Sequence, residues 1–323
     1  MIDKYLSSIK PLLDSNDNYS AHQRVRTIST RLSKNGKSKE SIELLFTVSK
    51  SLLEKSEWGS AIDCSILMLN QLSNLNDWDL SLVTQLISLT TNENSWRKKL
   101  IDNAITTSAT SFKIPSGHPD LLDFIGNLYF KERSYPLAEY YLILASKKES
   151  AVTLAKLYIQ WSQSPNQHHN DIGRYALRGV LAFILAEQVE AAITFTLNFL
   201  IQLQLTNSTI FLENQSLDGI TLTHSHTLNF AQFIIASIQR SSTSNIAQEW
   251  KSLVSHFKNK SDIINSQPVA QACTEIGSLY FDIRPVNTGG NMMDIMSSLL
   301  GGGAPSNQSK LKLLNKNSAA ELD

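Results

Sequence analysis

An all-α fold, a right-handed α-solenoid of tetratricopeptide-like helix pairs carrying one small β-hairpin near 208–224, is what the 323-residue sequence predicts. Three observations lead there. Thirteen glycines and eight prolines are few for this length, which favours helix over sheet. Apolar residues recur with a 3.6-residue period over stretches of about 15 to 20 residues. The stretches are separated by polar linkers too short to join anything but neighbouring antiparallel helices.

The elements follow in order. In YSAHQRVRTISTRLSK, Ala21, Val25, Ile28 and Leu32 fall at i, i+4, i+7 and i+11 and form one helical stripe. SKESIELLFTVSKSLLEK, SEWGSAIDCSILMLNQLSNL and WDLSLVTQLISLTT repeat the pattern, and linkers such as KNGK, KSEW and TTNENS punctuate it. From Ser116, SGHPDLLDFIGNLYFKERSYPLAEYYLILASKKES reads as two helices joined by KERSYP. Gly126 and Ala138 belong where those helices cross, and Leu122, Ile125, Tyr129, Tyr141 and Leu144 fill the groove, as in a tetratricopeptide-type hairpin of looser spacing. DIGRYALRGVLAFILAE and VEAAITFTLNFLIQLQL continue the array, and HTLNFAQFIIASIQR, NIAQEWKSLVSHFKN and QPVAQACTEIGSLYFDI close it.

TIFLENQSLDGITLTHS breaks the helical rule. Asp218-Gly219 is a hairpin turn signal, with Ile210 and Leu212 alternating on one arm and Ile220 and Leu222 on the other. The alternative is an irregular loop. A lone two-stranded hairpin is barely stable in water, so a hairpin here calls for packing on the solenoid or on a second chain. After Pro285 the composition shifts to Asn, Ser, Gly and Lys, and the tail is expected to be mostly disordered apart from one segment. The domains expected are 1–146 and 147–285, both helical repeats, and a tail at 286–323.

Composition excludes several classes of function. Formal charge is zero, with 29 basic and 29 acidic residues, so neither nucleic acid nor an anionic membrane is expected as the main partner. Cys64 and Cys273 sit in apolar settings without metal-ligand spacing and read as reduced core thiols. MIDKYLSSIKPLLDS lacks the long apolar core of a secretory signal, and no stretch approaches the roughly 20 apolar residues that span a bilayer. A cytosolic chain is the expectation.

The chemical motifs are sparse. In GGNMMDIMSSLLGGGAP, Gly289 to Pro305, no lysine follows the glycines and Pro305 removes a backbone donor, so a phosphate loop is excluded. Met292, Met293, Met296, Leu299 and Leu300 instead share one face of a short helix. Two readings stand: an adaptable surface for a partner, or a cap on the chain's own solenoid. HHND, at His168 to Asp171, reads as a solvated helix start that Asn170 or Asp171 would cap, rather than a metal site. No GxSxG, HExxH or paired-carboxylate frame is present, so neither catalysis nor a cofactor or metal is expected. On the first stripe-bearing helix, Tyr19, Gln23 and Arg26 project away from the apolar stripe with His22 on the flank. Arg31, Lys34, Lys37 and Lys39 add positive charge around the turn. This is either a protein-binding hot spot or an ordinary solvated face.

Three segments resemble the Golgi-to-ER traffic protein 4 family: YSAHQRVRT, GHPDLLDFIGNLYFKERSYPLAEYYLILA and LYFDIRPVNTGGNMMDIMSSLLGG. LNFAQFIIASIQR is similar to that family's late helix, and order and spacing fit from about residue 2 to 303. The resemblance implies a non-catalytic scaffold in the insertion of tail-anchored proteins into the ER membrane. It implies a dimeric cytosolic targeting ATPase as partner of the N-terminal half, favoured in its nucleotide-bound form. A ubiquitin-like-domain protein would be gripped by the C-terminal half and its hairpin, and would recruit a tetratricopeptide co-chaperone carrying the client. The family's Tyr-x-x-His-Gln pattern falls on Tyr19, His22 and Gln23, with its arginines on Arg26 and Arg31. Asp63 aligns with an acidic position that restrains hydrolysis, while Arg24 and Val25 depart from the usual residues. For the ubiquitin-like partner the implied contacts are Ile210, Phe211, Leu212, Ile220 and Leu222, matched by location rather than identity. On helical repeats alone, a scaffold subunit of a proteasome-lid or translation-factor assembly is the rival reading. No winged-helix module is apparent after residue 260.

Overall fold

Helices make up most of the described residues, which are 2–75, 78–91, 95–164, 171–217, 219–242 and 245–283 of the computed structural model. The first six are α1 (Asp3–Asp14), α2 (Asn18–Lys34), α3 (Ser38–Glu54), α4 (Trp58–Leu75), α5 (Leu80–Ser88) and α6 (Ser95–Phe112). Next come α7 (Pro119–Lys131), α8 (Tyr135–Ala145), α9 (Lys148–Ser162), α10 (Gly173–Leu185) and α11 (Val189–Thr206). A one-turn 3-10 helix (Ser208–Ile210) leads into β1 (Phe211–Leu217) and β2 (Ile220–Thr223), followed by α12 (His226–Gln239), α13 (Ile246–Lys258) and α14 (Gln267–Phe281). The chain divides into two compact units inside α7, one ending at Phe124 and the other beginning at Ile125. Sequence alone suggested a boundary at 146/147. The tail from 286 and the Met-rich segment within it lie outside the described residues.

A single connection recurs. Between α1 and α2, α2 and α3, α3 and α4, α7 and α8, and α10 and α11, three residues reverse the chain, and the middle one has positive φ: Asn16, Gly36, Ser56, Arg133 and Glu187. Each middle N–H donates to the carbonyl three residues back, and the next N–H to the carbonyl five back. Ser56 N to Leu53 O (3.0 Å) and Glu57 N to Leu52 O (2.9 Å) are one such pair. This closes the helix C-terminus by satisfying carbonyls that would otherwise lack partners. Only one of the five positions is glycine, so most of these stops carry no glycine signal in the sequence.

The result is layered packing, in which a helix contacts both its neighbour and its next-but-one. In the first unit α3 packs on α2 and α4, and α4 also on α2 and α6. Leu44, Leu45, Val48, Leu52, Ile62 and Met68 are fully buried there. The hydroxyls of Ser29 and Ser41 pair at 2.8 Å, and Gln71 donates to Ser29 at 3.0 Å, so these buried hydroxyls are satisfied within the core.

In the second unit α9 packs on α11, and α10 on α12. The expected crossing of α7 and α8 is present: a Cβ on Gly126 would lie 2.7 Å from Leu142 Cγ. Ile125, Tyr129 and Tyr141 are buried as expected, as is Leu122 at the end of the first unit, and the Tyr129 and Tyr141 rings stack at 5.8 Å. Leu144 is a correction. It is half-buried, and Leu142 takes the place facing the glycine.

Three helices of this unit meet at one buried carboxylate. Glu139 on α8 is 2% exposed and receives Tyr158 Oη from α9 at 2.5 Å. It also receives both Arg178 Nε and Arg178 Nη2 from α10, the latter at 2.6 Å. The guanidinium lies 5.7 Å above the Trp161 ring. Removing Glu139 takes the carboxylate counter-charge from the largely buried Arg178 guanidinium. Glu139→Ala is therefore expected to lower unfolding free energy by about 3–5 kcal/mol in denaturant titration. The double change of Glu139 and Arg178 to Met is expected to cost less than Glu139→Ala alone. Equal or greater loss in the double variant would contradict a desolvated pair.

Candidate protein-docking surfaces

The first surface is built on α2. Asp17 precedes the helix and accepts from Ser20 N at 3.2 Å, which starts the helix so that Tyr19 lies in its first turn. Ala21, Val25 and Leu32 face the core as the periodicity predicts, with Ile28 half-buried at the margin. Tyr19 is 72% exposed, an unusual position for an aromatic ring. Gln23, Arg26 and Arg31 are also exposed, whereas His22 is nearly enclosed.

Asp63 reaches this surface from α4. Its Oδ2 lies 2.8 Å from His22 Nε2 and accepts Arg26 Nη1 at 2.9 Å. His22 and Arg26 are one turn apart on α2, so one carboxylate holds both. The structure thus brings together three of the residues that the resemblance named. Arg31 stands further along the helix. With Arg26, Lys34, Gln23, Thr27 and Thr30 it lines an open hollow of about 680 Å³ that contains no carboxylate. Such a basic hollow suits an acidic protein surface. Cys64, next to Asp63, is no nucleophile: burial, aided by the Asp63 charge, pushes its thiol up to about 12.

The second surface is the hairpin. Leu217 pairs with Ile220, Ser216 with Thr221 and Phe211 with Thr223, and the register shifts between Phe211 and Ser216. Gly219 has φ +83°, which the tight turn requires. The far edge of β2 is not left open. Gln232 on α12 accepts from Thr221 N at 3.0 Å and donates to Thr221 O at 2.8 Å. Asn229, one turn earlier, accepts from Thr223 N at 2.9 Å and donates to Thr223 O at 2.8 Å. Two side-chain amides thus take the place of a third strand on β2, and β1 becomes the outer strand. The hairpin gains its support from its own chain.

The predicted hairpin contacts divide. Phe211, Leu212 and Leu222 are half-buried and available at the surface. Ile220 is 6% exposed and reaches the surface only through the slot beside β2. The strand alternation expected of Ile210 is a correction, since this residue ends the 3-10 turn before β1. Beside β2, Ile220, Phe233, Ile246 and Leu253 floor a narrow slot of about 170 Å³, with Arg240 and Glu249 among its walls. It has room for one aliphatic anchor.

The remaining motif readings resolve as follows. His168 and His169 lie outside the described residues. Asp171 accepts from Gly173 N at 2.9 Å, Ser225 Oγ at 2.7 Å and Thr227 Oγ1 at 2.6 Å, which ties the start of α10 to the start of α12. Among the described residues no group of three His, Cys, Asp or Glu side chains is placed to hold a metal. No described helix is long and apolar enough to cross a membrane. Both cysteines are free and buried.

Sequence reasoning missed Asn229 and Gln232. Their signal was present as two amides at i and i+3 within the otherwise apolar LNFAQFIIASI. It also missed the outward row Leu197, Ile201 and Leu205 of α11, a helix that carries no charge after Glu190.

The chain resembles proteins from several organisms. The Golgi to ER traffic protein 4 of Aspergillus fumigatus is 26% identical, covering 94% of this chain and 90% of that protein. The protein of the same name from Schizosaccharomyces pombe is 27% identical over 88% of this chain and 92% of its own. The crystal structure of C. therm. Get4 superposes with a TM-score of 0.79 at 25% identity, covering 94% of this chain and 96% of that one. The Golgi to ER traffic protein 4 family model matches residues 35–300. By this match, along nearly the whole helical array, the chain belongs to the Golgi to ER traffic protein 4 family, whose members are non-catalytic scaffolds.

Proposed function

We propose that this chain, a scaffold of tail-anchored protein targeting by its family, bridges a dimeric cytosolic ATPase and a ubiquitin-like-domain protein. The α2–α4 surface takes the ATPase. The hairpin, with the slot beside it, takes the ubiquitin-like partner, which in turn recruits the co-chaperone that carries the client.

The observation that carries this reading is the cluster at Asp63, where residues 37 and 41 positions apart share one carboxylate oxygen. An exposed ion pair of this kind adds only about 0–1 kcal/mol to stability, so its value lies in what it positions. Asp63 holds the Arg26 guanidinium on the helix that also carries the exposed Tyr19 ring, while Arg31 and Lys34 extend the positive strip. Tyrosine and arginine together are the side chains that most often dominate binding energy at protein interfaces.

A scaffold biases a switching ATPase only as far as it binds one state better than another. In this reading the basic strip recognises the acidic surface presented by the nucleotide-bound dimer. Asp63 supplies a negative charge that competes for Arg26 and tempers turnover in the complex. Charged contacts set encounter rate and salt sensitivity, and Tyr19 slows dissociation.

Three outcomes test the proposal. Arg26→Glu puts a second carboxylate beside Asp63 and is expected to weaken ATPase binding at least tenfold, about 1.4 kcal/mol, while the ubiquitin-like partner stays bound. A pull-down that retains both partners would sink the assignment of α2. Phe211→Asp with Leu222→Asp should have the converse effect, losing the ubiquitin-like partner alone. Asp63→Asn leaves Arg26 uncompensated, and the steady-state ATP turnover of the complex should rise with binding retained. Unchanged turnover counts against a restraining role for Asp63.

A further inference from the structure

α11 carries no charged side chain from Ala191 to Thr206. One face packs on α9 and α10 through Phe195, Phe199 and Leu203, which are buried. The opposite face carries Leu197, Ile201 and Leu205, exposed by 56%, 54% and 76%. Their i, i+4, i+8 spacing makes one row about 12 Å long on the helix surface. Thr194, Asn198 and Gln202 give the helix a neutral polar line beside this row, but the row itself is an exposed apolar stripe of the kind that marks a docking surface.

The chain supplies a segment of the same pattern. Met292, Met296 and Leu300 repeat the i, i+4, i+8 spacing, with Met293 and Leu299 beside them and glycines at 289–290 and 301–303. The family match ends at residue 300, where this pattern ends. Its reach is sufficient. Tyr280 Oη donates to Ile184 O at 2.8 Å, which fixes the end of α14 beside the end of α10, just before α11 begins. Leu197 lies about 12 Å along α11 from Val189. The eight residues 284–291 span up to about 28 Å when extended. Tethering at this length gives an effective concentration on the order of millimolar, so even a small contact closes. Thioethers fit an irregular aliphatic row more readily than branched side chains do.

We propose that residues 292–300 cover the Leu197, Ile201 and Leu205 row of the same chain. This occupant is internal and does not depend on either partner of the preceding section.

Ile201→Cys and Met296→Cys in the full chain test the contact directly, because the native Cys64 and Cys273 are buried. Ile201 is exposed, so its replacement spares the core. With diamide as oxidant at micromolar chain concentration, at least half of the chains should form an internal disulfide, read by mass spectrometry of the linked peptides. The control pair Ile201→Cys with Ser309→Cys should link at least tenfold more slowly. Equal rates for the two pairs would overturn the proposal, and predominant disulfide-linked dimers would assign the row to a second copy. As an independent readout, iodoacetamide should alkylate Ile201→Cys at least tenfold faster when Met296→Asp and Leu300→Asp are added. Unchanged alkylation would also overturn it.

Discussion

Five left-handed residues govern this molecule. Each lets a helix end on its own carbonyls and return within three residues, so that consecutive helices must lie side by side. Two such reversals in succession, through Gly36 and Ser56, return the chain so that α4 packs beside α2. Asp63 meets His22 and Arg26 for that reason. No local preference could pair residues so far apart in sequence; the repeated turn does it through geometry. A scaffold without a catalytic centre needs a backbone that holds surface side chains at fixed spacing, and close-packed helix pairs supply it.

The two proposed docking surfaces use this rigidity differently. On α2 the residues are polar, exposed and arranged around a charge, which suits an interface governed by electrostatic complementarity. At the hairpin the devices are backbone pairing and apolar side chains. Asn229 and Gln232 close the inner edge of β2 with four amide hydrogen bonds to Thr221 and Thr223, so the hairpin stays in place before any partner arrives. Pre-ordering of this kind lowers the conformational cost of association. Elsewhere in the same unit, the charges of Glu139 and Arg178 are turned inward and satisfied, which keeps them from competing for partners.

Much of this was legible in the sequence, for identifiable reasons. The 3.6-residue period marked the helices, and Ala21, Val25 and Leu32 are buried as that period requires. Asp218-Gly219 marked the hairpin, and Gly126 marked the crossing of α7 and α8. The helix stops were less visible, because Asn16, Ser56, Arg133 and Glu187 adopt a conformation usually left to glycine. Period-2 alternation marked Ile220 and Leu222 as the apolar positions of the second arm, but burial in β2 falls on Ile220 and Thr223. It carried no information that α12 covers Ile220, since burial there is decided by a helix later in the chain. Tyr19, His22, Gln23 and Arg26 were found by resemblance to a family motif. The convergence of His22 and Arg26 on Asp63 depends on the fold and has no local sequence signature.

The central claim is that a single chain serves two different visitors at once. Native mass spectrometry of the chain mixed with the nucleotide-bound ATPase and the ubiquitin-like-domain protein tests it most directly. The account predicts one assembly containing all three proteins, whose abundance falls with rising salt as the ATPase departs first. Two separate binary complexes that never combine, each displacing the other, would contradict it.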